Sequence, residues 1–381
     1  MTRIGGAGMV DWNLAVATAT RLVRPGPEIS REEARAVVAE LRRHAKASEE
    51  HVRAFTRMIP DGHEPEDTPV LVVDRAGWIR ANVAGFRELL GPLLGKMQDR
   101  RGSGPGNAVL GAVGGKVTGV ELGMLLSFLS SRVLGQYETF APATRELPAS
   151  SKGGGRLLLV APNIVHVERE LEVDPHDFRL WVALHEETHR TQFTGVPWLR
   201  DHLRGEIQSF LDETDVDPMT LLERLREAAQ AFSGGSRPEG EQGEKGEGGG
   251  RSLVDIVQTP SQREILGRLT AVMSLLEGHA DFVMDGVGPD VVASVAEIRE
   301  KFQQRRARGA SRLDLALRKL LGLDAKLRQY RDGEKFVRAV VDEVGMDGFN
   351  RVWTSPNTLP TKAEIAAPAD WVARVHRKAD S

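Results

Sequence analysis

The sequence predicts a mainly helical fold with a small β component, an α+β arrangement. Three observations point to it. Most of the 381 residues fall into stretches with apolar side chains every third or fourth position, several opened by recognisable capping residues. Only one short run, 156–163, reads as a strand, which accounts for the small β component. One capped helix, Asp174 to Pro197, carries the five-residue motif His185-Glu186-Glu187-Thr188-His189, around which the rest can be organised.

Residues 1–26 open loosely and then show a helical pattern from Trp12 to Val23, ended by Pro25 and Pro27. Ser30 and Glu33 have capping-box spacing for a helix reaching about Ala47, with Ala34, Val37, Val38 and Leu41 on one face. A second helix is expected from Glu49 to Met58. Val70 to Asp74 leads into a helix from about Arg75 to Leu94, followed by a Gly-rich loop at 102–106. Asn107 to Leu134 repeats glycine at 115, 119 and 123. Lys116, Glu121 and Arg132 argue against a membrane span, so these glycines mark a face where a neighbouring backbone comes close.

A Gly-rich linker at 150–155 precedes the strand Arg156 to Asn163, broken at Pro162, which Ile164 to Val167 extends. Standing just ahead of the motif helix, this strand is a candidate to flank a cleft and pair with an extended peptide; an ordinary core strand is the alternative. Trp198 to Arg204 begins a helical run through Leu225 and Ala229. Residues 233–250 are low-complexity Gly and Glu. They offer too little apolar surface to offset their ordering entropy, which predicts a disordered surface insertion. Helical periodicity returns from Arg263 to Met284. A basic helical stretch, Arg299 to Phe336, is interleaved with Leu313, Leu317 and Leu320, the pattern of a packed helix with a solvated face. Residues 353–370 read as a Pro-rich loop before a last helix around Trp371. Two regions are expected: a helical N-terminal region, 1–148, packing on the core, and a metal-binding catalytic region, 149–381.

Composition narrows the function. Hydrophobic content of 40% and charged content of 28% are those of a globular protein. A net charge of −3 argues against bulk nucleic-acid binding and a polybasic membrane anchor. Without cysteine there is no disulfide, no thiolate metal ligand and no thiol nucleophile. The first residues lack a signal pattern and no apolar run is long enough to span a bilayer, so a cytoplasmic protein is expected.

The motif helix carries the chemistry. Asp174 suits the N-cap, Pro175 the first turn, and Gly195 with Pro197 the stop. His185 and His189 are four apart, hence on one helix face, and two imidazoles so placed can share one zinc ion. Glu186 can hold the metal's water and take its proton. A catalytic zinc takes a third protein ligand. The metzincin extension is absent, because Gln192 and Gly195 stand where its Gly and last His would be. Glu277 is the best distant candidate. Asp281, four residues on, lies on the same face and could orient a ligand histidine. His279, about 200° around that helix from Glu277, is a poor ligand. His166, near the strand, is a candidate substrate contact. Tyr137 and Tyr330, the only two tyrosines, are candidate oxyanion donors.

The segments FLSSRVLGQYE (around 127–138), LLLVAPNIVHVERELEVDPHDFRLWVALHEETHRTQFTGVPWLRDHL (157–203), LLEGHADFVMD (275–285) and LLGLDAKLRQYRDGEKFV (320–337) resemble a bacterial family of zincin-like zinc metallopeptidases. Its members are labelled as hydrolases or as associated with deazaflavin-coenzyme biosynthesis. The resemblance implies a largely helical zincin-like core, one Zn2+ per chain on His185, His189 and Glu277, and Glu186 as general base. Peptide or amide bonds would be the substrate, with no nucleic-acid or membrane partner. The alternative class is a helical scaffold or binding protein whose metal site is structural or idle.

Overall fold

A computed structural model describes residues 9–58, 69–100, 105–140, 155–213, 260–308 and 323–376. The expected insertion at 233–250 lies outside the described residues, as does residues 309–322 of the basic stretch. The elements run α1 (Trp12–Leu22), α2 (Arg31–Thr56), β1 (Val70–Val73), α3 (Arg75–Arg100), α4 (Pro105–Ser130), β2 (Gly135–Glu138), β3 (Arg156–Val160), α5 (Ala161–Leu171) and α6 (Pro175–Gly195). They continue with α7 (Leu199–Asp212), α8 (Pro260–Gly286), α9 (Val295–Arg308), α10 (Leu323–Phe349), α11 (Lys362–Ala366) and α12 (Pro368–His376). The described chain is thus mostly helical around one small sheet. None of its helices is long and apolar enough to cross a membrane.

The caps follow the sequence. Asp11 accepts from the backbone of Leu14 at 2.9 Å, Ser30 from Glu33 at 3.0 Å, and Asp174 from Asp177 at 2.9 Å. Each contributes about 1 kcal/mol. No break separates Ala47 from Glu49, so one helix replaces the two expected there. It ends where Arg57 turns left-handed, with φ 54°.

The sheet order is β1-β3-β2, with β1 parallel and β2 antiparallel to β3. Alternation along β3 serves two cores. Leu159 joins Val37, Leu41, Ile164, Phe178 and Trp181, whereas Leu158 and Val160 join Ala19, Ile79 and Leu126. A third cluster holds Leu199, Leu276, Phe336 and Trp371. Three expectations change here. Residues 164–167 do not extend the strand: Pro162 sits in the first turn of α5, which buries Ile164, Val165, Val167 and Leu171 against its neighbours. The strand therefore does not run directly into α6. With a neighbour on each side, β3 also has no free edge for a peptide. Third, residues 353–370, expected as a Pro-rich loop, hold the end of one 3₁₀ turn (Asn350–Trp353), a second 3₁₀ turn (Pro356–Thr358), α11 and the start of α12.

Glycines mark the close helix crossings. A side chain at Gly119 or Gly123 would meet the backbone oxygen of Asp11 or Ala15, so α1 packs on the glycine face of α4. On α8, the place of a Gly278 side chain is taken by the backbone of Gly333 and Glu334 in α10. Gly278→Ala is expected to destabilise the fold by about 1–3 kcal/mol, because two backbones cannot part as a flexible side chain can. A lowered urea midpoint at constant slope would register it. The described basic residues of α9 are paired within the protein: Arg299 with Asp285 and Glu334, Lys301 with Glu297, and Arg305 with Glu170.

Candidate metal centre and its cavity

Helix α6 presents His185 and His189 one turn apart, and α8 packs across it to present Glu277. The two histidine Nε2 atoms are 3.3 Å apart. Glu277 sets one carboxylate oxygen 3.8 Å from Nε2 of His185 and the other 3.6 Å from Nε2 of His189. Donors at 2.0–2.1 Å from a tetrahedral ion stand about 3.4 Å from one another, so two imidazoles and a carboxylate are spaced for one zinc. One ligand atom from each residue lies within 4.8 Å of the others.

The orientation of His189 follows from its neighbours. Gln192, fully buried, donates through Nε2 to the carbonyl of Leu276 at 3.0 Å. A carbonyl only accepts, so Oε1 of Gln192 is the atom facing Nδ1 of His189, also at 3.0 Å. That nitrogen carries the proton and Nε2 keeps its lone pair. The same Gln192 amide donates to Nδ1 of His279 at 3.0 Å. Burial, helped by the nearby His189, drives the pKa of His279 down to about 3, so it stays neutral and accepts. His279 packs on Phe349 and Trp353, away from the three donors. Behind His185, Nδ1 faces the sulfur of Met284 at 3.2 Å and Oδ1 of Asp281 at 3.7 Å.

The two adjacent glutamates diverge. Glu187 is buried against Arg190, which also reaches Glu49 at 2.7 Å. Glu186 shares a cavity with His185, His189 and Glu277. Burial, and then the charge of Glu277, hold its carboxyl well above the usual range; a cation on the three donors would pull it back down. Gly135 of β2 packs flat on Glu186, whose side chain occupies the place of a Gly135 Cβ.

The cavity, ≈ 830 Å³, runs from these residues between α3, β2 and α8. Phe86, Leu89, Phe140, Phe193, Leu266 and Met273 make one apolar wall. Gln136 and Asn82 supply polar groups and fix one another: Gln136 donates to Asn82 at 3.1 Å, and Trp78 donates to Gln136 at 2.8 Å. Tyr137 also lines the cavity. Its ring stacks on Phe193 at 5.5 Å, and its hydroxyl lies against Gly155. His166 is not part of the cavity lining. It is exposed on α5 and faces Glu170 at 3.8 Å, because the segment read as strand is helical and turns it outward. The side chain of Tyr330 lies outside the described residues. Sequence reading missed Gln192 and Gly135; the three-residue step from His189 to Gln192 is the spacing that could have found the first.

Residues 10–372 match the family described as zincin-like metallopeptidase. Among solved structures, the chain is similar to a protein from Chloroflexus aurantiacus, described as a candidate hydrolase with a novel fold. The two are 29% identical, with a TM-score of 0.64 over 97% of this chain and 99% of that one. Neither description mentions a deazaflavin coenzyme. No curated protein matches.

Proposed function

As the chain belongs to the zincin-like metallopeptidase family, we propose that it is a zinc-dependent hydrolase of peptide or amide bonds. One observation carries this reading: His185, His189 and Glu277 converge within 4.8 Å beside a buried acid, at the wall of a cavity large enough for substrate. His185, His189 and Glu277 would hold the ion. When bound, zinc supplies Lewis acidity, lowering the pKa of water and polarising a carbonyl. Glu186 takes the proton of the attacking water and passes it to the leaving amine. Its burial against Gly135 keeps the carboxylate from wandering into solvent. Asp281 and Gln192 act through the histidines, each facing the ring nitrogen turned away from the ion. Tyr137 is positioned to contact substrate. The apolar wall favours substrates with a bulky apolar group beside the cleaved bond. A purely structural zinc is closed in by four protein ligands; three donors opening onto a cavity support the catalytic reading over a scaffold.

Purified protein tested on peptides and N-acyl amides with apolar side chains is expected to hydrolyse a subset. A strong chelator should abolish turnover and added Zn2+ restore it. Turnover unchanged after complete metal removal would end this reading. Gln192→Leu is expected to weaken zinc affinity about 10–100-fold with the fold intact, since His189 loses the partner that fixes its tautomer. Competition against a chromogenic chelator measures it.

A further inference from the structure

A second group of metal-ligating side chains lies where α2 meets the start of α6. Glu40 and His44 are one turn apart on α2, and His176 is in the first turn of α6, nine residues and so about 13 Å along the axis before His185. Glu40 places Oε1 2.9 Å from Nδ1 of His176 and 3.5 Å from Nε2 of His44. The two imidazoles meet edge to face, with centroids 4.6 Å apart. One ligand atom from each of the three residues lies within 4.8 Å of the others.

An ordinary His–Glu hydrogen bond explains only part of this. His44 is 7% exposed, and its Nε2, aimed at the group, has no hydrogen-bond partner. Buried polar nitrogens are normally satisfied, so this one points to a ligand. The other oxygen of Glu40 is held by Arg179, whose charge is shared with Glu168. Glu40 therefore keeps one oxygen free of the guanidinium and directed at the two rings.

We propose that Glu40, His44 and His176 form a second metal site, for a divalent first-row transition ion, that ties α2 to the first turn of the helix carrying the catalytic motif. Two imidazoles and one carboxylate suit Zn2+, Co2+ or Ni2+. His176 is exposed, which leaves the remaining coordination positions to water. The site is independent of the hydrolase reading, since it shares no residue with that centre.

The test is a titration of metal-free, full-length protein with Co2+, followed by its visible absorption, and with Zn2+ by calorimetry. Wild type should bind two equivalents. His176→Gln, a change at an exposed position, should bind one. His185→Ala/His189→Ala should also bind one, and its thermal midpoint should rise with Zn2+. Adding His176→Gln to that double variant should remove both the binding and the rise. One equivalent in wild type that His185→Ala/His189→Ala removes, or binding in the double variant that survives His176→Gln, would overturn the second site. Loss confined to His176→Gln, with none from His185→Ala/His189→Ala, would uphold it while defeating the catalytic-centre reading.

Discussion

Replacing Glu186 by Gln is expected to slow hydrolysis by about 10²–10⁴-fold while zinc content stays unchanged. The range is the usual contribution of a general base, equivalent to about 3–5 kcal/mol of barrier at 1.36 kcal/mol per decade. Gln keeps the shape of the side chain packed on Gly135, so the cavity wall should survive. It cannot accept the water's proton. Glu187→Gln provides the control, because that side chain faces Arg190 and does not line the cavity. Kinetics and metal analysis on one sample decide the matter. Equal loss of zinc and activity in Glu186→Gln would make Glu186 a ligand, and an unchanged rate would remove it from the chemistry.

Glu277→Ala should be the most damaging change at the donor set. It takes the only carboxylate from the three-residue group and leaves two imidazoles on one face of α6. Losing an outer-shell partner already costs a metal site about 10–100-fold in affinity, so loss of a donor should exceed that. The expected result is an equivalent of zinc lost on dialysis, activity lost with it, and partial recovery in excess Zn2+. The side chain is partly exposed, so the far-ultraviolet circular dichroism spectrum should be unchanged. Retention of that equivalent would transfer the third-donor role elsewhere.

What the sequence disclosed and what it hid have physical causes. His185, Glu186 and His189 stand out because helical periodicity fixes their relative placement within five residues. Glu277 could be singled out at a distance because the four-residue step to Asp281 puts two acids on one face. The crossing of α1 and α4 was readable for a similar reason: glycine repeated every fourth position at 115, 119 and 123 signals a close neighbour, and the structure supplies the backbone of Asp11 and Ala15. Strand β2 left no such trace. Gly135-Gln-Tyr-Glu138 has no alternation of apolar residues; it is a strand because β3 pairs with it and Arg156 forms a buried ion pair with Glu138. Residues 164–167 misled for the opposite reason. Ile164, Val165 and Val167 favour strands locally, but burial of one face over a full 11-residue span makes a helix. The outward turn of His166 follows from that reversal.

The arrangement of the sheet bears on any attempt to dissect the protein. β3 receives one neighbour from residues 70–73 and the other from 135–138. A recombinant fragment begun at residue 149 would carry the histidine motif and Glu277, yet strip β3 of both partners. Five consecutive buried residues would then present two naked edges, a template for aggregation. The same cut would take away Gly135, the surface against which Glu186 is braced.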